Sequence, residues 1–382
     1  MHKVIGKISD IIHKRPVLVL MITWALLQII LLLIFGIVTT GEATQYSNEA
    51  QNFLQQGHFS EPKYIFYSVY IFLHIIFLKF GFETVGLYLM QLFTNLLAMY
   101  LFYKTAYRLT KKKNAAFLSA LLLLVCYSWQ YWVVYLYTES FFCSLIIIFA
   151  GLLFGTEKRN NLQYSAVVFI FILILFARPT GIFIIPVLCI MLVWWLISKR
   201  KTTQAIAVLL AMTFAFTGIL NYAMKAGSSY DFITPLLEKN VLCYLSEQPP
   251  VSAIKVEGAS NSLLSIWNYI EQNPGTFIKL SALKFLSFWG MTRPYYSTFH
   301  NVWLMCFFYP LYIFAFIGIS ALWKTQPAFV CFATGMILIF TLSVMVTCDD
   351  WNNRFNLPII PFVILFAGIG LHKTLTTRLR VK

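Results

Sequence analysis

Residues 17–57, VLVLMITWALLQIILLLIFGIVTTGEATQYSNEAQNFLQQG, decide the fold. Val17–Val38 is apolar and carries no charge. It exceeds the roughly 20 residues a helix needs to cross a bilayer. The polar stretch from Gly41 to Gly57 follows at once, so the chain passes from a span directly into a loop holding Glu42, Tyr46 and Asn48. Glu42 is the ionisable residue nearest the end of that span. Tyr46 and Asn48 are polar groups of the kind that hydrogen-bond a sugar.

Composition extends this reading to the whole chain. Of 382 residues, 59% are hydrophobic and 11% charged, and the mean hydropathy is +0.75. A soluble domain needs more polar surface than that. The expected fold is therefore all-α and polytopic, a single domain over residues 1–382. Aromatics at 18% suit packed spans with interfacial belts. Ten spans are predicted at Val17–Val38, Thr84–Tyr107, Ala115–Trp132, Tyr135–Phe154, Leu162–Ala177, Ile182–Ile197, Thr203–Tyr222, Val302–Trp323, Ala328–Val346 and Leu357–Leu371. Tyr64–Phe80 is apolar but includes His74 and Lys79, and reads as a juxtamembrane or re-entrant helix on the outer side.

The net charge of +15 is a matter of topology rather than nucleic acid. With the N-terminus inside, 19 of the 29 Lys and Arg fall in cytoplasmic segments. Twelve of the 14 acids lie outside or at outer ends, Asp10 and Glu157 excepted. That asymmetry sets orientation. If Tyr64–Phe80 spanned, Lys111, Lys112 and Lys113 would be extracytoplasmic. His2, Lys3, Lys7, Lys14 and Arg15 precede the first span without a small-residue cleavage site, so it reads as an anchor. Outer loops are expected at 41–83 and 223–301. The second holds turn signals at Gly227-Ser228-Ser229 and Gln248-Pro249-Pro250. It also holds a helix start at Asn273-Pro274-Gly275, with Asn as cap, leading into an amphipathic interfacial helix.

Seven cysteines form no framework. Cys243 and Cys348 lie outside the spans and could pair with each other, although nothing in their spacing demands a bond. No CxxC or HExxH occurs, so no metal or other cofactor is implied.

The remaining unusual polar groups gather at outer ends of spans: Glu42, Lys63, Glu139, Arg178, Arg293, His300, Asp349, Asp350 and Arg354. Ionisable groups at a membrane edge face a cavity or one another. Glu42, Tyr46 and Gly57, an acid with Tyr four residues on and Gly eleven beyond, resemble the first outer loop of the GT-C superfamily. These membrane glycosyltransferases use polyprenyl-phosphate sugars, as in protein O-mannosyltransferases and lipid A aminoarabinose transferases. Glu61-Pro62-Lys63, with Tyr64 and Tyr67, is similar to the family's second loop element. Thr138-Glu139-Ser140, Ala177-Arg178-Pro179-Thr180-Gly181 and Asn353-Arg354-Phe355-Asn356-Leu357-Pro358-Ile359-Ile360-Pro361 resemble family patterns at matching places. The leading acid departs from the family's usual Asp, and Ala43 stands where Glu is common.

The resemblance implies a sugar moved from a polyprenyl-phosphate donor to an extracytoplasmic lipid, glycan or protein acceptor. Glu42 would be the general base. Lys63, Arg293, Arg354 and Arg178 would hold the donor phosphate. Tyr46, Asn48, Glu139, Tyr295 and Tyr296 would line the substrate site. Plainer readings stand beside these. Glu42 also reads as a solvated loop acid, Lys63 as an interfacial charge, Glu139 as a packing residue, and Arg354 as an ion-pair partner of Asp349 or Asp350. Two other functions fit a polytopic chain, a transporter for a lipid-linked sugar and a non-enzymatic partner of polysaccharide assembly.

Overall fold

A computed structural model describes residues 14–155, 160–226, 232–243, 260–350 and 352–381. Lys3, Lys7, Asp10, Glu157, Gly227-Ser228-Ser229 and Gln248-Pro249-Pro250 lie outside the described residues. Among those described the chain is helical, with isolated bridges but no β-strand.

The first half comprises α1 (Pro16–Phe35), α2 (Glu42–Gln56), α3 (Ser68–Lys79), α4 (Glu83–Thr110), α5 (Lys113–Val125), α6 (Thr138–Phe154) and α7 (Asn161–Ala177). The second half comprises α8 (Ile184–Ser198), α9 (Thr202–Ala226), α10 (Leu263–Gln272), α11 (Pro274–Gly290), α12 (Thr298–Trp323), α13 (Pro327–Val346) and α14 (Ile360–Val381). Among the described residues seven helices are long and apolar enough to cross a membrane. They are α1, α4, α8 with the 3₁₀ turn before it, α9, α12, α13 and α14. This is a multi-pass membrane protein. Both α6 and α7 are apolar but only 17 residues long.

Several expected boundaries move for identifiable reasons. Ala115–Trp132 is not one straight helix. It breaks after Val125, and the turns over Tyr127–Val134 bend away by 68°. Gln130 holds the break: its Nε2 donates to the Leu123 carbonyl at 3.2 Å, and its Oε1 accepts from Gln28 Nε2 at 3.1 Å. Tyr135 is extended, so α6 begins at Thr138 rather than Tyr135. The stretch expected as a loop after Gly41 is the helix α2. Tyr64–Phe80 folds as a 3₁₀ turn, Pro62–Tyr67, followed by α3, which is too short to cross a bilayer alone. Asn273 precedes α11 but does not cap it through its side chain. Its Nδ2 donates backward to the Tyr269 carbonyl instead.

The two cysteines outside the spans take the alternative that their spacing did not demand. Cys243 and Cys348 form a disulfide, with Cα atoms 5.3 Å apart. A parallel bridge beside it pairs Leu242 with Asp349: Cys243 N donates to Asp349 O, and Asp349 N to Val241 O, each at 2.8 Å. Spacing alone could not reveal this, because the partners are 105 residues apart and meet only through the tertiary fold.

Two helices make the core. Every residue of α6 from Thr138 to Gly151 is buried. Helix α14 is buried along its first ten residues and crosses α12 where glycines permit backbone contact. A Cβ on Gly318 would strike the Phe366 carbonyl, and one on Gly370 the Phe314 carbonyl. Small residues at a crossing are a common device of membrane helix packing.

Candidate functional site

Four distant segments deliver charged side chains to one end of the bundle. The first is the start of α2. Gly41 adopts φ +67°, and a Cβ there would collide with Tyr137 Oη. Just before it, Val38 N donates to Val134 O at 2.9 Å and Leu136 N to Val38 O at 3.1 Å. This bridge ties the approach to Glu42 to the approach to Glu139. Glu42 then opens α2, where an acid suits the exposed N–H groups of the first turn.

The second segment is the first turn of α6, which carries Glu139. The third is the end of α7. Arg178 is extended (φ −159°, ψ 145°), as a residue before proline tends to be, and Pro179 starts a new turn. The fourth is the loop after α13. Asn353, in the left-handed region at φ 57°, reverses the chain into a 3₁₀ turn that begins at Arg354. Asn353 Nδ2 donates to Met291 O at 2.7 Å and Asn356 Nδ2 to Phe288 O at 2.8 Å, which anchors the turn on the end of α11.

Arg354 is the hub. Its Nη1 lies 2.5 Å from Glu42 Oε1 and 3.1 Å from Glu139 Oε1, and its Nε lies 3.2 Å from Asp350 Oδ2. Arg178 Nη1 approaches the same Glu139 oxygen at 2.5 Å. Tyr46 Oη donates to Glu42 Oε2 at 3.1 Å. The Trp132 ring lies under the Arg354 guanidinium, 5.9 Å from centroid to Cζ. Exposure rises through the cluster: 1% for the Glu139 side chain, 11% for Arg178, 12% for Arg354 and 31% for Glu42. Glu42 is therefore the carboxylate that meets the outside, and Glu139 the one that organises the interior.

Electrostatics follow from this packing. Burial works against the charge on Arg354, but Glu139, Asp350 and Glu42 outweigh it and hold its pKa above the usual arginine value. Arg178 behaves likewise, with burial opposed chiefly by Glu139. Burial, followed by Tyr67, Glu42 and Glu139, raises Tyr46 well above the ordinary phenol, so it stays a proton donor to Glu42. With its acids ionised the cluster holds three carboxylates and two guanidiniums, so both cations are already paired.

Other expected site residues lie elsewhere. Lys63 pairs with Glu61 at 2.9 Å and stands over the Tyr64 ring. Arg293 is buried and bonded on several sides: Nη2 meets Asp349 Oδ2 at 2.6 Å and Asp350 O at 2.9 Å, and Nη1 reaches Ser287 O at 3.1 Å. Burial raises Asp349 to about 6, against the opposing pull of Arg293. Tyr296 donates to Asn352 Oδ1 at 3.1 Å and stacks on His300 at 4.3 Å, with Tyr295 packed edge-on beside it. Asn48 is exposed on α2. Among the described residues no group of three or more His, Cys, Asp or Glu is arranged to hold a metal ion.

Some participants had weak sequence signals. Asp350 fixes Arg354 twice, through Nε and through the backbone N–H at 3.3 Å. Tyr137 hydrogen-bonds the Glu42 backbone. The i, i+4 spacing of Asp350 and Arg354 was a usable hint, whereas nothing local marked Tyr137 or Trp132. Compared with known proteins, the chain matches no family model and gives no significant match to a curated protein.

Proposed function

We propose that this protein is a ten-span membrane glycosyltransferase of the GT-C type, acting on a polyprenyl-phosphate sugar with Glu42 as general base. The count of ten takes the bent pair and the two 17-residue helices as spans. The observation that carries the reading is the cluster itself. One partly exposed carboxylate stands against an arginine, and a second arginine is held behind it by a buried acid. A donor phosphate would draw Arg354 and Arg178 onto its oxygens, since guanidinium grips phosphate with paired donors. Arg354 would thereby leave Glu42. The freed carboxylate takes the proton of an acceptor hydroxyl as that oxygen bonds to the anomeric carbon. The bond from that carbon to phosphate breaks, and polyprenyl phosphate leaves with the electron pair, its charge met by the arginines. In this scheme Lys63 serves the loop beside Tyr64, and Arg293 serves the Asp349–Asp350 turn.

Sidedness has support besides the lysine and arginine asymmetry. The Cys243–Cys348 disulfide lies beside Asp349 and Asp350, and disulfides persist in oxidising compartments. An extracytoplasmic site with both termini cytoplasmic fits both facts. The test is transfer from a panel of radiolabelled polyprenyl-phosphate sugars to cell-envelope acceptors by the purified protein. Glu42→Gln should abolish transfer while leaving donor binding intact. Undiminished transfer by that variant removes Glu42 as base, and transfer from no donor removes the enzyme.

A further inference from the structure

Helix α2 has two unlike faces. Ala43, Tyr46, Glu49 and Ala50 are buried. The opposite arc carries Gln45, Asn48, Gln51, Asn52, Gln55 and Gln56, all exposed except the half-buried Asn52. At 3.6 residues per turn these six span an arc of roughly 140°. The only other residue on that arc is Thr44. Four of the chain's twelve glutamines fall within these few turns. Glu42 stands at the seam between the two faces, so the amide arc runs away from the cluster carboxylate along one helix.

The composition of the arc selects its partner. A solvated helix face carries charged and uncharged polar residues, and this one has only the uncharged kind, with no Lys, Arg, Glu or Asp. An anionic lipid surface is gripped by Lys and Arg. A protein partner docks on aromatic, apolar or arginine anchors. The arc has neither. A carboxamide is neutral and both donates and accepts hydrogen bonds. Its chemical complement is a neutral surface dense in groups that do the same, which is a run of sugar hydroxyls. Asn52 Nδ2, at the inner edge of the arc, is enclosed and has no hydrogen-bond acceptor within the described chain.

We infer that the amide arc of α2 binds an uncharged glycan chain and leads its terminal hydroxyl to Glu42, so that the acceptor is a neutral glycan rather than a protein or a charged lipid. The inference rests on the proposed transferase reading for the role of Glu42, but binding can be read without any transfer. Full-length protein in nanodiscs is tested against an array of neutral hexasaccharides built from glucose, mannose, galactose or N-acetylglucosamine. Vesicles containing anionic phospholipid run in parallel. At least one hexasaccharide should bind, and Asn48→Ala/Gln51→Ala/Gln55→Ala should weaken it about tenfold or more through lost neutral hydrogen bonds. Glu42→Gln should retain the binding. The inference is overturned if no hexasaccharide binds, if the triple variant binds as well as the parent, or if anionic vesicles bind through the arc instead. Loss of the transferase reading would show separately, as transfer from no polyprenyl-phosphate donor while the hexasaccharide still binds.

Discussion

Replacing Glu139 by Gln probes the interior of the cluster most directly. The substitution keeps shape and removes one charge from a side chain that is 1% exposed. Arg354 retains Glu42 at 2.5 Å and Asp350 at 3.2 Å. Arg178 does not fare as well, because Glu139 is the only carboxylate within ion-pair distance of it among the described residues. Stranding a buried charge in this way costs about 3–5 kcal/mol. Unfolding in mixed micelles by SDS titration, followed by tryptophan fluorescence, measures that loss. Removing the stranded charge as well, in Glu139→Gln/Arg178→Gln, should recover about half of it or more. Contacting residues deviate from additivity by about 0.5–3 kcal/mol, so the cycle resolves the pair. A cost below about 1 kcal/mol for Glu139→Gln, or a double variant as unstable as the two singles summed, would refute the view that Glu139 holds the arginines together.

Two further outcomes follow from local geometry. Gly41→Ala places a Cβ against Tyr137 Oη and forces an L-residue into the left-handed region, so it should destabilise by about 1–2 kcal/mol. Hydrogen exchange across the start of α2 should rise with it, and unchanged protection would dismiss the steric argument. Asp349, outside the spans, carries a pKa lifted from 3.8 to about 6, first by burial. Between those values the folded protein binds more protons than the unfolded chain, so this group's contribution to stability falls as pH rises across the window. Asp349→Asn should flatten the stability profile between pH 4 and 6, and a slope identical to the parent's would reject the assignment.

The helices were legible because long apolar runs need little else to declare themselves, and the 16–35 and 327–346 segments lie within a few residues of their expected limits. Glu42, Glu139, Arg178 and Arg354 were legible as charges out of place at the edges of such runs. Their partnership was not. Glu42 and Arg354 stand 312 residues apart, and no local pattern records a contact of that range. Helix α2 was hidden for another reason. Its amide-rich sequence looks like a loop, and the spacing of Ala43, Tyr46, Ala50 and Phe53 is its only helical cue. Arg293 and Lys63 were equally visible as cations. Which acid each would take, Asp349 or Glu61, depended on packing that composition does not encode.

The order in which a ribosome delivers these groups matters for how the molecule matures. Glu42 and Glu139 are synthesised and inserted early, whereas Arg354 follows Glu139 by 215 residues. Until then two acids at one rim of a growing bundle lack the cation they share, and Cys243 waits for Cys348. A chain that stalls before Cys348 therefore leaves Glu42 without its arginine and Cys243 without its disulfide partner, while Glu139 already has Arg178.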